Sequence, residues 1–176
     1  MITNAEPWDN LKFNLDGITE VQRKFFGTLF NTYNFFALYS NLDGHTVSTT
    51  PDFNSLPEAD RWILSKLNTL VKQVAAALDD YNPTRAGRLI QDFTCDNLSN
   101  WYVRLNRRRF WNPSQQGVTA DKQAAYYTLH TCLKTISQLM SPIAPFFGDW
   151  LYRNLLDVQG NNQESVHLTS WPTVQE

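Results

Sequence analysis

An all-α bundle of about five helices, with a short extended C-terminal tail, is the fold class this sequence predicts. Apolar residues recur at three- and four-residue steps through several long stretches, the spacing that lines one face of a helix. Breaks separate those stretches at Asn41-Leu42-Asp43-Gly44, Asn82-Pro83, Asn112-Pro113 and Ser141-Pro142-Ile143-Ala144-Pro145. With 176 residues, 42% hydrophobic and 14% aromatic, the chain can bury one substantial core and belongs with globular rather than disordered sequences.

Residues 1–18 show no clear period and read as a lead-in packed on the bundle. Residues 19–158 form the bundle and 159–176 the tail, in one domain. Met1 opens directly into Ile2-Thr3-Asn4 without leader or cap, as a piece of a longer chain does. Thr19-Glu20-Val21-Gln22 has the capping-box spacing and predicts a helix to about Ser40 through Val21, Phe25, Leu29, Tyr33 and Phe36. Ser55-Leu56-Pro57-Glu58 is a second such box, opening a helix to Tyr81 with the stripe Ile63, Leu67, Leu70, Val74, Ala77 and Tyr81. Asn82 as N-cap and Pro83 at the first helical position start the third helix, about 83–111, in a tight antiparallel hairpin with the second.

A fourth helix runs from near Thr119 to about Met140 through Ala125, Leu129, Cys132, Leu133, Ile136 and Leu139. The fifth carries Phe146, Trp150, Leu151, Asn154, Leu155 and Val158. Ser165 to Pro172 read as an extended tail, with Val166, Leu168 and Trp171 laid against the bundle.

The third helix changes character along its length. Ala86, Leu89, Ile90 and Phe93 share one arc at roughly 100° per residue. Trp101, Arg104, Arg107, Arg108 and Trp111 continue that arc. Buried guanidiniums need partners, so this half is expected to overhang the bundle or line a groove. Tyr102 and Phe110 fall off the arc and are expected in the core. Between Trp101 and Trp111 lie four arginines and four aromatics with no acid.

Net charge underlines the contrast. Residues 1–82 carry −4, residues 83–111 carry +4 and residues 112–176 carry −2 within a total of −2. Positive charge gathered in one helix points to a local anionic partner. Guanidiniums suit phosphates and flat rings suit bases, a pairing that nucleic acid rewards. The bland alternative is a solvated charged face at a helix C-terminus, where cations suit the macrodipole; large interleaved rings have no use there. Arg85 and Arg88 read as ordinary surface charges.

Other chemistries find little support. His45, His130 and His167 have no ligand spacing, and Cys95 and Cys132 lie too far apart for a close-spaced zinc site, so no metal is expected. Both cysteines read as buried thiols in a reducing, cytoplasmic setting. No phosphate-cradling glycine loop and no nucleophile–base arrangement occur, and the expectation is that this stretch has no catalytic residue. No apolar run approaches the roughly 18 residues of a membrane helix, so no membrane partner is expected.

Residues 98–111, LSNWYVRLNRRRFW, resemble the signature helix in the anticodon-binding domain of class I isoleucyl-tRNA synthetases. MITNAEPWDNLKF resembles the segment after the second ATP signature of their catalytic domain. DRWILSKLNTL is similar to the start of the domain's second helix, SPIAPFFGDWLYRNLL to its last helices and SVHLTSWP to its strand-like close. SPIAPF and the SVHL…SWP pattern also occur in valyl and leucyl relatives.

The resemblance implies a helical bundle that grips the anticodon stem and loop of isoleucine tRNA. It implies partners in the enzyme's own catalytic domain and a further C-terminal region. The parent enzyme would use ATP, isoleucine and magnesium, esterify the tRNA and edit mischarged valine. Those sites lie outside this stretch, which is expected to hold no cofactor. The expected tRNA-binding residues are Asn100, Trp101, Arg104, Arg107, Arg108, Arg109 and Trp111. Arg104, Arg107 and Arg108 would meet phosphates, and Trp101 and Trp111 would offer walls to unstacked nucleotides. Asn100 and Asn106 either bond base edges or fill helix surface. Leu105 stands where many relatives carry a second arginine. The rival readings are a valyl or leucyl domain, a bundle docking an acidic protein, and a structural spacer.

Overall fold

The computed structural model describes residues 15–44, 51–111, 118–157 and 165–174. These residues build five helical rods and no strand. The first rod joins α1 (Leu15–Val21), a π-helical turn (Gln22–Phe26) and α2 (Gly27–Leu42). It begins earlier than the Thr19 capping box predicts. Thr19 already sits inside a helix and its hydroxyl donates to the Leu15 carbonyl at 3.1 Å. A capping hydroxyl needs extended backbone at its own residue, and Thr19 lacks it. Phe25, Leu29 and Phe36 are buried as expected. Gly44, at a φ of +58°, closes the rod in the left-handed conformation that a side chain resists.

The second predicted box also fails to form. Ser55 belongs to a 3₁₀ turn (Phe53–Ser55), and its hydroxyl donates to the Asp52 carbonyl at 2.7 Å. Pro57 therefore heads α3 (Glu58–Asp79) without a side-chain cap. The stripe from Ile63 to Ala77 is buried, but Tyr81 lies beyond the helix end, exposed and at a φ of 53°. Asn82 caps the next rod as predicted: its side-chain oxygen accepts from the Arg85 N–H at 2.8 Å, with Pro83 in the first turn. That rod runs through α4 (Pro83–Asp92), a long π-helical segment (Phe93–Val103) and α5 (Arg104–Trp111).

The centre of the bundle is α6 (Ala120–Met140), which touches α2, α3, α4, α5 and α7 (Pro145–Asp157). Thirteen of its residues are buried, which only a helix surrounded by neighbours can sustain. Thr119 caps it, accepting from the Lys122 N–H at 3.3 Å. Gly148 marks the crossing of α7 over α6, where a Cβ would lie 3.1 Å from the Ser137 carbonyl oxygen. Leu151 and Leu155 face the core, whereas Phe146 is exposed; Val158 lies outside the described residues.

The tail folds back as a 3₁₀ turn (Val166–Leu168) rather than running fully extended. Asp149 holds it, accepting from the Ser165 hydroxyl at 2.7 Å and the Val166 N–H at 2.9 Å. The Ser165 hydrogen bond, ahead of the other contacts, keeps that carboxyl below its usual range. Val166 is buried against Tyr152 and Leu156, while Leu168 points to solvent and Trp171 keeps much of its surface.

Candidate nucleic-acid interface

The wide turns of Phe93–Val103 decide which way the arginines face. Each i→i+5 turn holds about one residue more than an α turn, so the run retards the rotation of everything after it. Leu98, Tyr102, Val103 and Phe110 therefore continue the buried side begun by Ile90 and Phe93. The apolar arc and the arginine arc, superposed at constant α-helical pitch, are separate faces here. Phe110 enters the core, its ring centroid 5.1 Å from Phe35 and 5.3 Å from Tyr126. Of the expected overhang or groove, the overhang does not occur: α5 lies along the bundle against α6.

With Phe110 inward, Arg104, Arg107 and Arg108 face solvent, and Trp101 and Trp111 each keep 50% of their surface exposed. Asn100 and Leu105 share the exposed side. None of these three arginines forms an ion pair among the described residues. The result is a strip of unneutralised guanidiniums framed by two half-open indoles. Asn106 turns inward instead, its amide donating to the Tyr102 carbonyl at 2.8 Å.

Arg109 departs from the strip. Its side chain is 14% exposed and reaches the fully buried carboxylate of Asp60 in the first turn of α3. The contact is bidentate, with N–H donors 2.7 Å from Oδ1 and 2.8 Å from Oδ2. Asp121, at the start of α6, accepts from the Arg109 Nε at 3.0 Å, and the Asn106 side-chain oxygen lies 3.3 Å from the guanidinium. The Tyr102 hydroxyl donates to Asp60 at 2.7 Å. Burial works against the Arg109 charge, but the Asp60 and Asp121 contacts outweigh it and raise its pKa. Burial, then the Asp60 charge, pushes the Tyr102 phenol well above its ordinary value. This guanidinium cannot reach out to a phosphate without abandoning two carboxylates.

A second polar cluster lies nearby. Lys122 pairs with Asp43 at the end of α2, and the Tyr126 hydroxyl donates to the same carboxylate. Burial, with help from Asp43, raises the Tyr126 pKa. Together the two clusters pin the start of α6 to α2 and to the α3–α5 pair.

Sequence reasoning missed Asp60. Its signal was present: Asp60, Ile63, Leu67 and Leu70 hold one helical spacing, an acid standing on an apolar stripe. Trp62 was also missed; its ring lies 4.6 Å from that of Trp101. Cys132 is buried, Cys95 is partly buried, and both are free thiols. His130 is buried beside Phe36, His167 is exposed, and His45 lies outside the described residues. Among the described residues, no three of His, Cys, Asp and Glu gather as metal ligands do, and no helix is long and apolar enough to cross a membrane.

The family model described as the anticodon-binding domain of tRNA ligase matches residues 60–176, beginning at Asp60 itself. The chain belongs to that family. Over its whole length this anticodon-binding domain is 60% identical to an isoleucine–tRNA ligase of Bacteroides fragilis, covering 15% of that protein. It is 62% identical to one of Cytophaga hutchinsonii, again over the whole chain and 16% of the relative. Over 99% of the chain it is 45% identical to the Deinococcus radiodurans enzyme, 15% of which it covers. The domain thus spans about one seventh of the length of the relatives it matches.

Proposed function

We propose that this domain grips the anticodon stem and loop of isoleucine tRNA on behalf of a longer isoleucine–tRNA ligase. The observation that carries the reading is the strip from Trp101 to Trp111: three arginines without an ion pair among the described residues, between two half-exposed tryptophans, on a rod anchored from behind. Arg104, Arg107 and Arg108 meet phosphates. Trp101 and Trp111 receive loop bases, because sequence reading of RNA uses splayed, unpaired nucleotides. Asn100 stands on the same side for a base edge. Arg109 leaves the contact set and serves the fold.

The relatives' names make the parent a ligase that joins isoleucine to tRNA. The resemblance adds ATP and magnesium, in a catalytic part outside this stretch, and partners the domain with that part and with a further C-terminal region. The two free thiols suit a cytoplasmic site of action.

The test is binding of this chain to isoleucine tRNA and to a non-cognate tRNA across a salt series. Cognate preference that survives moderate salt supports anticodon reading here. Equal, salt-sensitive binding to both reduces the domain to an electrostatic grip, and no binding at low salt reduces it to a spacer. Displacement of the tRNA by poly-L-glutamate at matched charge favours the acidic-protein reading.

A further inference from the structure

The buried clamp brings a second aromatic ring to the interface, from a helix outside the arginine motif. Trp62 lies two residues past Asp60 in α3, and Trp101 directly precedes Tyr102. The 2.7 Å hydrogen bond from Tyr102 to Asp60, with the bidentate hold of Asp60 on Arg109, therefore fixes α3 against the π-helical segment at the point where the two tryptophans meet. Their ring centroids are 4.6 Å apart with planes inclined at 43°. Trp62 is half-buried and rests on the core, so it has little freedom to move. Trp101 leans on it and keeps half its surface in water.

We propose that Trp62 is a positioning residue for RNA: it backs Trp101 so that one unpaired nucleobase stacks on the open side of the Trp101 ring. The base, Trp101 and Trp62 then make one run of ring contacts that ends against the core. Arg104, exposed like Trp101 and three residues on, takes a phosphate of the stacked nucleotide. An indole free to rotate would lose side-chain entropy on binding, and one already held against Trp62 loses less. Stacking tolerates any base, so this contact supplies grip and registers the loop rather than reading its sequence. The inference rests on the tRNA-binding reading above.

The first test needs no variant. A hairpin carrying the isoleucine anticodon loop is prepared with 2-aminopurine at each loop position in turn, and its fluorescence is followed as the 176-residue chain is added. One position is expected to be quenched on binding; quenching at none overturns the proposal. The second test compares Trp62→Leu, Trp62→Phe, Trp101→Leu and the double leucine variant, each checked for native melting. Trp101→Leu is expected to weaken hairpin binding about 10-fold, the size of one stacking contact. Trp62→Leu should weaken it severalfold and remove most of the quenching, Trp62→Phe should restore both, and the double variant should bind no worse than Trp101→Leu alone.

Multiplying effects in the double variant would make Trp62 an independent scaffold and overturn the proposal. Wild-type binding by Trp62→Leu, while Arg104→Ala still weakens the complex, overturns it and leaves the tRNA reading intact. Indifference of binding to Arg104, Arg107 and Arg108 overturns both.

Discussion

Arg109 and its neighbours Arg104, Arg107 and Arg108 occupy one eight-residue helix and share one chemistry, yet they stand in opposite surroundings. Arg109 is enclosed by two carboxylates, one of which also accepts from the Tyr102 phenol, and by an amide oxygen. The other three have water on their side and no counter-ion among the described residues. A guanidinium already saturated by protein is structure, and one left unsaturated is available to a ligand. Arginine count is thus a poor guide to a binding face; arginines minus their internal partners is a better one.

The largest expected effect breaks the enclosed side. Arg109→Leu leaves the Asp60 carboxylate buried without its cation and should cost about 3–5 kcal/mol in urea unfolding. Asp60→Leu combined with Arg109→Met and Tyr102→Phe should recover much of that loss, because removing both charges and the phenol hydroxyl leaves no buried polar group of the clamp without a partner. Tyr102→Phe takes one hydrogen bond from a charged acceptor and should cost about 1.5–3 kcal/mol by the same measurement. Neither the Arg109 pair nor the phenol needs RNA present to show its effect.

On the open side the signs reverse. Arg104→Ala, Arg107→Ala and Arg108→Ala should each change stability by no more than about 0.5 kcal/mol. Each should lower the salt slope of tRNA binding by about 0.7 to 1 for every phosphate lost. A stability loss at Arg107 as large as that at Arg109 would erase the distinction between the two sides.

The smallest expected effect is the part of the pH dependence that the two enclosed phenols carry. Tyr102 and Tyr126 have folded-state pKa values raised above their ordinary value of 10.0. Their contribution is fully present below about pH 10 and is lost as pH rises beyond it, because the unfolded chain releases those protons first. Tyr126→Phe should flatten the alkaline limb of a melting-temperature profile, while Arg104→Ala should leave it unchanged.

The all-α class, the Asn82-Pro83 cap, the Thr119 start and the apolar stripes of α3 and α6 were legible in the sequence, because each rests on local periodicity or a single side-chain contact. Tyr102 and Phe110 were rightly placed in the core. The errors share a cause. Thr19 and Ser55 fit the capping pattern, but whether a hydroxyl caps depends on the backbone before it, and α1 and the Asp52 turn had already set that backbone. The ion pair of Arg109 was not legible either, because the sequence does not announce that Asp60, 49 residues away, waits on the other side. The arc drawn from Ile90 to Arg108 assumed constant pitch, and the wide turns of Phe93–Val103 break that assumption without any proline or glycine to mark them.

Those turns have a consequence in the language of insertions and deletions. A segment that holds about one residue more per turn than an α-helix carries slack: losing one residue while one wide turn narrows leaves the direction of everything downstream unchanged. Inside Arg104–Trp111 there is no such slack, and a single lost residue turns the remainder of the helix by about 100°, exchanging arginines between water and core. Length variation in this rod is therefore tolerable before Arg104 and ruinous after it, so the motif can keep its aim while the helix beneath it changes length.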